Sequence, residues 1–196
     1  MKMRRTIRDV FPLAVVVLIV LTLLASLNSG AREKSDDEEY QAQAYGQGTQ
    51  LGQTFNVTLI IHEYSPPEDQ KILLNSFAAG GMNGLVNALS KMKAKGRLAI
   101  TGTLGYDVSY IRSFPTADGR KIRLVTNRPI TFGEAWWDTN SKSFNLSAIE
   151  LDINNAKGKS GGTLLPACQF KLNQENELEI VNFQNPWRLT DVLERK

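Results

Sequence analysis

Residues 97–127, RLAITGTLGYDVSYIRSFPTADGRKIRLVTN, constrain this chain more than any other stretch. Three runs of alternating apolar and polar residues follow one another there, which is the pattern of strands buried on one face. In the first run Leu98, Ile100 and Leu104 share a face. In the second Tyr106, Val108, Tyr110 and Phe114 do so, interrupted by Arg112. In the third Ile122 and Leu124 lie with Arg120. Asp118-Gly119 marks a hairpin between the last two. A two-residue Asp118-Gly119 loop would set Phe114 against Arg123 and Arg112 against Val125. A three-residue loop over 117–119, with Gly119 left-handed, sets Phe114 against Ile122 and Arg112 against Leu124. A slip of one residue turns every side chain over, so the apolar pattern selects the three-residue loop.

Before this stretch, residues 54–63 alternate cleanly, with Phe55, Val57, Leu59 and Ile61 on one face. Ser65-Pro66-Pro67-Glu68 then reads as a helix start, Ser65 capping and Glu68 closing a capping box. The first helix turns Ile72, Leu73 and Phe77 inward and stops at Gly80-Gly81. A second carries Met82, Leu85, Val86, Leu89 and Met92 as one apolar stripe. Its last turn holds Lys91, Lys93 and Lys95, where the helix dipole favours cations. After the central stretch come a weaker strand over 130–138 and a strand over 143–153 whose apolar parity switches near Ala148-Ile149, the mark of a bulge. Residues 164–172 form a strand that Pro166 restricts to an edge or a bulge. A short strand over 178–183 follows, and the state of the C-terminal segment is left open. These elements predict an α+β domain over 54–196, with a mostly antiparallel curved sheet of about six to seven strands and an N-terminal helix pair packed on it.

The N-terminus is of another kind. Lys2, Arg4, Arg5 and Arg8 precede an uncharged apolar run over 10–27, and Ser29-Gly30-Ala31 offers a small-residue cleavage site. Residues 1–31 therefore read as a signal peptide. The run is also long enough for an uncleaved anchor, since spanning takes about 17–25 residues. Residues 32–53, acidic and then rich in Gln and Gly, read as a solvated linker. The net charge of +3 equals that of residues 1–31, so residues 32–196 are neutral. The basic balance thus belongs to the targeting segment and gives no support to nucleic-acid binding. Export to the periplasm or beyond, with membrane contact only through residues 10–27 if they are retained, is the expected localisation.

Chemistry is sparse in the chain. Its one His, His62, lies on the polar face of its strand beside Glu63, which makes it the candidate base of a hydrolase-type alternative. The sequence lacks the second His of a zinc-protease motif, so no metal site is expected. Gly158-Lys159-Ser160 imitates the end of a P-loop without its first Gly. Cys168 stands alone and reads as a small core residue. Two clusters are better candidates for contact with a ligand. Trp136 and Trp137 must point to opposite strand faces. Trp137, among the small neighbours Gly133 and Ala135, is the one assigned to a surface or groove. Arg112, Arg120, Lys121, Arg123 and Arg128 gather on one hairpin, where they either guard a sheet edge or meet an anionic envelope component.

The stretches EDQKILLNSFAAGG, KMKAKGRLAITGTLGYDVSYIRSF, GRKIRLVTN and NPWRL resemble those of a group of exported bacterial proteins of uncharacterised function, over about residues 57–193. The resemblance implies a bacterial exported domain and brings no activity, cofactor or catalytic residue with it. The expected function is a non-enzymatic binding or envelope-associated domain without cofactors. Its candidate contacts are Trp137, Arg112 and Arg123. The alternatives are a carrier of a small apolar ligand and an enzyme using His62.

Overall fold

The computed structural model describes residues 37–130, 145–154, 160–175 and 177–195. Among the described residues nine strands form one antiparallel sheet. They are β1 (Glu38–Gly46), β2 (Thr54–Ile61), β3 (Gly96–Ile100), β4 (Tyr106–Thr116), β5 (Gly119–Thr126), β6 (Leu146–Asn154), β7 (Gly161–Leu172), β8 (Leu178–Gln184) and β9 (Trp187–Arg195). Among the described residues one α-helical element, α1 (Pro67–Leu89), joins β2 to β3, and a short 3-10 turn over Gly48–Gln50 joins β1 to β2. Strands β1 to β7 pair in sequence order, and β9 pairs with both β7 and β1, so the sheet closes on itself. β8 and β9 lie along the same edge of β7 in one register, with Ala167 facing Gln184 and Leu164 facing Trp187. They are one strand bent at Asn185-Pro186, where Asn185 takes a φ of 46°. Counted that way, the fold is an eight-stranded up-and-down barrel.

This overturns the expected α+β arrangement of a six- to seven-stranded curved sheet under a helix pair. Two strands that the pattern did not reveal make the difference. Glu38–Gly46, assigned above to the linker, is β1. The C-terminal segment, left open above, is β9. These two strands pair with each other from Glu39–Arg195 to Gly46–Trp187, and that pairing closes the ring. In place of two helices there is one helical element, sharply broken at Gly81 (φ 56°, ψ −141°), a conformation open to Gly alone. The break folds the second arm against the first so closely that a Cβ on Gly84 would lie 2.0 Å from the Ser76 carbonyl oxygen. Among the described residues no helix is long and apolar enough to cross a membrane.

The barrel has two apolar clusters, one inside and one outside. Every strand of the ring sends residues to the lumen, among them Tyr40, Ala42 and Ala44, Val57 and Leu59, Leu98, Ile111, Ile122 and Leu124, Ile149 and Leu151, Leu164, and Trp187. An eight-stranded barrel leaves an interior that side chains alone can fill. Other residues on β4 to β8, such as Tyr110, Val125, Ala148, Cys168 and Phe170, pack with α1 on the outer wall. Leu73, Leu85 and Leu89 anchor the helix there with no exposed surface. Each such leucine contributes about 1.5–3 kcal/mol by leaving water. This two-sided burial explains the parity switch in β6, since Leu146 and Ala148 face the helix while Ile149 and Leu151 face the lumen. The bulge sits on β7 instead, where Pro166 and Ala167 lie between residues opposite Leu146 and Ala148. Ser65 does not cap α1. Its backbone N–H and side-chain oxygen bind the backbone of Ile111, and Pro66 is the N-cap.

The hairpin register also differs from both sequence readings. Phe114 faces Lys121 and Ser113 faces Ile122 around a two-residue Ala117-Asp118 loop, and Gly119 is not left-handed. A bulge at Ser109, between the pairs Val108–Thr126 and Tyr110–Val125, breaks the alternation on which both readings rest. It moves Tyr106 and Val108 into the lumen but turns Tyr110, Arg112 and Phe114 outward, so the apparent single face was two. Leu104 lies beyond β3 and is 93% exposed.

Candidate functional site

Three places carry polar chemistry: the outer hairpin wall, one mouth of the lumen, and the wall opposite the helix. The first holds the predicted Arg112 and Arg123. These residues face each other across β4 and β5, and their guanidinium groups stand 5.8 and 5.4 Å from the centre of the Phe114 ring. Neither is open to an anion. Arg112 donates to Gln70 at 2.8 Å and pairs with Glu177 at 3.4 Å. Arg123 pairs with Glu150 at 2.7 Å and donates to the Leu178 carbonyl. Arg128 stands over the ring of Tyr106. The edge-guarding explanation fails too, because β5 has a paired strand on each side. Trp136 and Trp137 lie outside the described residues.

His62 is an exposed side chain with its Nδ1 3.0 Å from an oxygen of Asp37. Glu63, its expected partner, turns instead to Lys95 at 3.0 Å, and Lys95 also reaches Asp69 at 3.4 Å. Hydrogen bonding to Lys95 lowers the Glu63 pKa, and the lysine is held charged in return. The triad fastens the start of α1 to the end of β2. Cys168 is buried against α1, and burial raises its thiol pKa far above the ordinary value, so it stays a neutral core group. Among the described residues no group of three or more metal-ligating side chains forms.

The mouth of the lumen is closed by a network that the sequence reading did not foresee. Arg120, on the inward face of β5, donates to Glu38 at 2.8 Å and to the hydroxyls of Tyr40 and Tyr64. Both tyrosines donate to the same Glu38 oxygen, at 2.8 and 2.9 Å. Burial works against the Glu38 carboxylate, but the hydrogen bonds from Tyr40, Tyr64 and Arg120 outweigh it and lower its pKa. Burial and the bond to Glu38 raise the pKa of both phenols. Every member of the network has a partner within it, as a structural plug requires.

The wall of β1, β2, β9 and β7 is different: polar, concave and open. Its outward residues, with Asp152 of the neighbouring β6 and Ser160 before β7, line two clefts. One, of about 720 Å³, is formed by Tyr45, Asp152, Ser160, Gly161, Arg188 and Asp191 among others. The other, of about 480 Å³, is formed by Gln41, Gln43, Asn56, Thr58 and Asp191. Asp191 lines both. It sits in a bulge of β9, opposite the step from Gln41 to Gln43, with a φ of 51°. That left-handed conformation is uncommon outside Gly and is tolerated by Asp. Such outliers concentrate at functional sites. Asp191 escapes a sequence reading because a bulge residue breaks the alternation without a local signature.

No protein-family model, curated protein or solved structure matches this chain.

Proposed function

We propose that this domain is an exported, non-enzymatic binding module that holds its ligand on the outer wall of the barrel. The observation that carries this reading is the meeting of two polar clefts at Asp191, a residue held in an unusual backbone conformation. Two further features support it. Leu59, Leu98, Ile111, Ile122 and Leu124 occupy the lumen as fully buried side chains, whereas an apolar carrier needs an interior cavity of at least about 300 Å³. The paired state of Arg112, Arg123 and Arg120 directs attention away from those cations.

Amide chemical-shift mapping with a library of small polar and apolar fragments tests the reading. Polar fragments are expected to move the signals of Tyr45, Gly161, Arg188 and Asp191 together. Shifts concentrated on lumen residues such as Leu98 and Ile122, caused by apolar fragments, would establish the carrier instead.

A further inference from the structure

The lining of the two clefts narrows the ligand class. Outward side chains on β1 and β2 are amides and hydroxyls: Gln41, Gln43, Asn56 and Thr58. Across Asp191 the surface continues with Thr190, Arg188 and Ser160. Such groups offer hydrogen-bond donors and acceptors in roughly equal measure. Formal charge is balanced, with Asp152 paired to Lys121 at 3.3 Å and Asp191 standing against Arg188, so a polyanion meets no net positive charge and an apolar molecule meets little to bury against. Tyr45 adds an aromatic ring, 39% exposed, whose hydroxyl donates to Gln43 at 2.6 Å and holds the ring along β1. An exposed ring with a fixed orientation is a platform for the flat apolar face of a polar molecule.

The strand pairing argues against a polypeptide. Extended peptides gain most of their affinity by adding a strand to an open sheet edge. In this wall β1, β2, β7 and β9 each have neighbours on both sides, and no edge is offered. Gly161 completes the floor. Its outward position is bare, and among the described residues a Cβ there would meet only the Leu189 carbonyl oxygen at 3.4 Å, an ordinary contact. The space above it is therefore open rather than demanded by packing.

We infer that the groove across β1, β2, β9 and β7, centred on Asp191, binds a neutral oligosaccharide chain, with Tyr45 under one sugar ring and the amide and Asp191 side chains bonding to hydroxyls. This rests on the outer-wall reading above and names its ligand class. The probes are hexamers of N-acetylglucosamine and of β-1,4-linked glucose, titrated into the folded domain by calorimetry and amide shift mapping. At least one hexamer is expected to bind ten times more tightly or better than its monosaccharide, because several subsites act together. Asp191→Gly suits the positive φ and removes only the carboxylate; it should weaken binding at least tenfold. Gly161→Leu fills the floor without deleting a polar group, and it should do the same. If both hexamers fail while an anionic polymer or a peptide binds in an Asp191-dependent way, the saccharide assignment falls and the outer-wall reading stands. If a hexamer binds equally well to both variants, or moves only signals elsewhere, the groove itself is wrong and both readings fall.

Discussion

Arg120 and Glu38 form an ion pair across the diameter of the barrel. β1 and β5 are four strands apart in either direction around the ring, yet the guanidinium and the carboxylate meet at 2.8 Å. The pair, with Tyr40 and Tyr64, ties opposite walls together at one mouth. Its side chains keep 31% and 27% exposure, which places it between a surface pair and a fully buried one. Replacing Arg120 by Ala takes the cation from the carboxylate and the donor from both phenol oxygens. The expected loss is about 1–3 kcal/mol in urea denaturation, between the ranges for exposed and buried pairs. A loss under about 0.5 kcal/mol would show that the network only fills space.

The same network makes stability depend on acidity. Glu38 has a folded-state pKa below its ordinary value of 4.5, so folding favours its ionised form. That contribution is present above the unfolded-state value and is lost as pH falls through the lower folded-state value. Glu38→Gln should therefore be less stable than the native chain at pH 7, with the gap closing as the solution is acidified below about 4.5. Urea midpoints of the two proteins across that range give the answer. A gap that widens with acid would mean the carboxylate is destabilised by folding.

Phe114 brings its ring to two cations. Arg112 and Arg123 both stand over it, and each guanidinium already has a carboxylate partner. Phe114→Leu keeps apolar bulk and removes the ring's negative face. It should cost about 0.5–1 kcal/mol, the range for exposed cation–π contacts. A double-mutant cycle with Arg123→Ala isolates the term, and additive losses would mean the stacking contributes nothing.

Two neighbouring glycines in α1 should respond in opposite ways. Gly81→Ala forces a side chain into φ 56°, ψ −141° and should destabilise by about 1–3 kcal/mol. Gly80 has no positive φ, and a Cβ there meets nothing within 4 Å. Gly80→Ala should be neutral or stabilising, by up to about 1 kcal/mol. Thermal unfolding of both variants tests this, and equal behaviour would contradict the break at Gly81.

Strands with strong alternation were legible in the sequence: β2, the β4–β5 hairpin, β6 and β7 all lie where the pattern placed them. Those that close the barrel were not. In β1 the inward residues are Tyr40, Ala42 and Ala44 against Glu and Gln outside, so small side chains mute the contrast and the segment reads as a linker. In β9 the bulge at Asp191 puts Val192, not the next alternate residue, into the lumen. Pairing between the first strand and the last has no local signal at all. The same blindness affected the site. Arg112 and Arg123 were visible as charges, but their partners Glu177 and Glu150 lie 65 and 27 residues away. Arg120 shared the face of Ile122 and Leu124 in the alternation, but its charge grouped it with the other hairpin cations, and its partners Glu38, Tyr40 and Tyr64 had no signal. Asp191 had no pattern to mark it.

The pairing of β1 with β9 gives the fold the connectivity of a loop rather than a line. Every strand of the ring lies beside its predecessor and its successor, and the last lies beside the first. Where the chain starts is then an accident of the gene and not of the architecture. A short polar linker from Arg195 back to Asp37, with new ends opened at the exposed Ala117-Asp118 turn, would leave every ladder of the ring intact. In such a permuted chain β5 would come first and β4 last. The strand pair that now forms by closing a short hairpin would become the one that waits for the whole polypeptide.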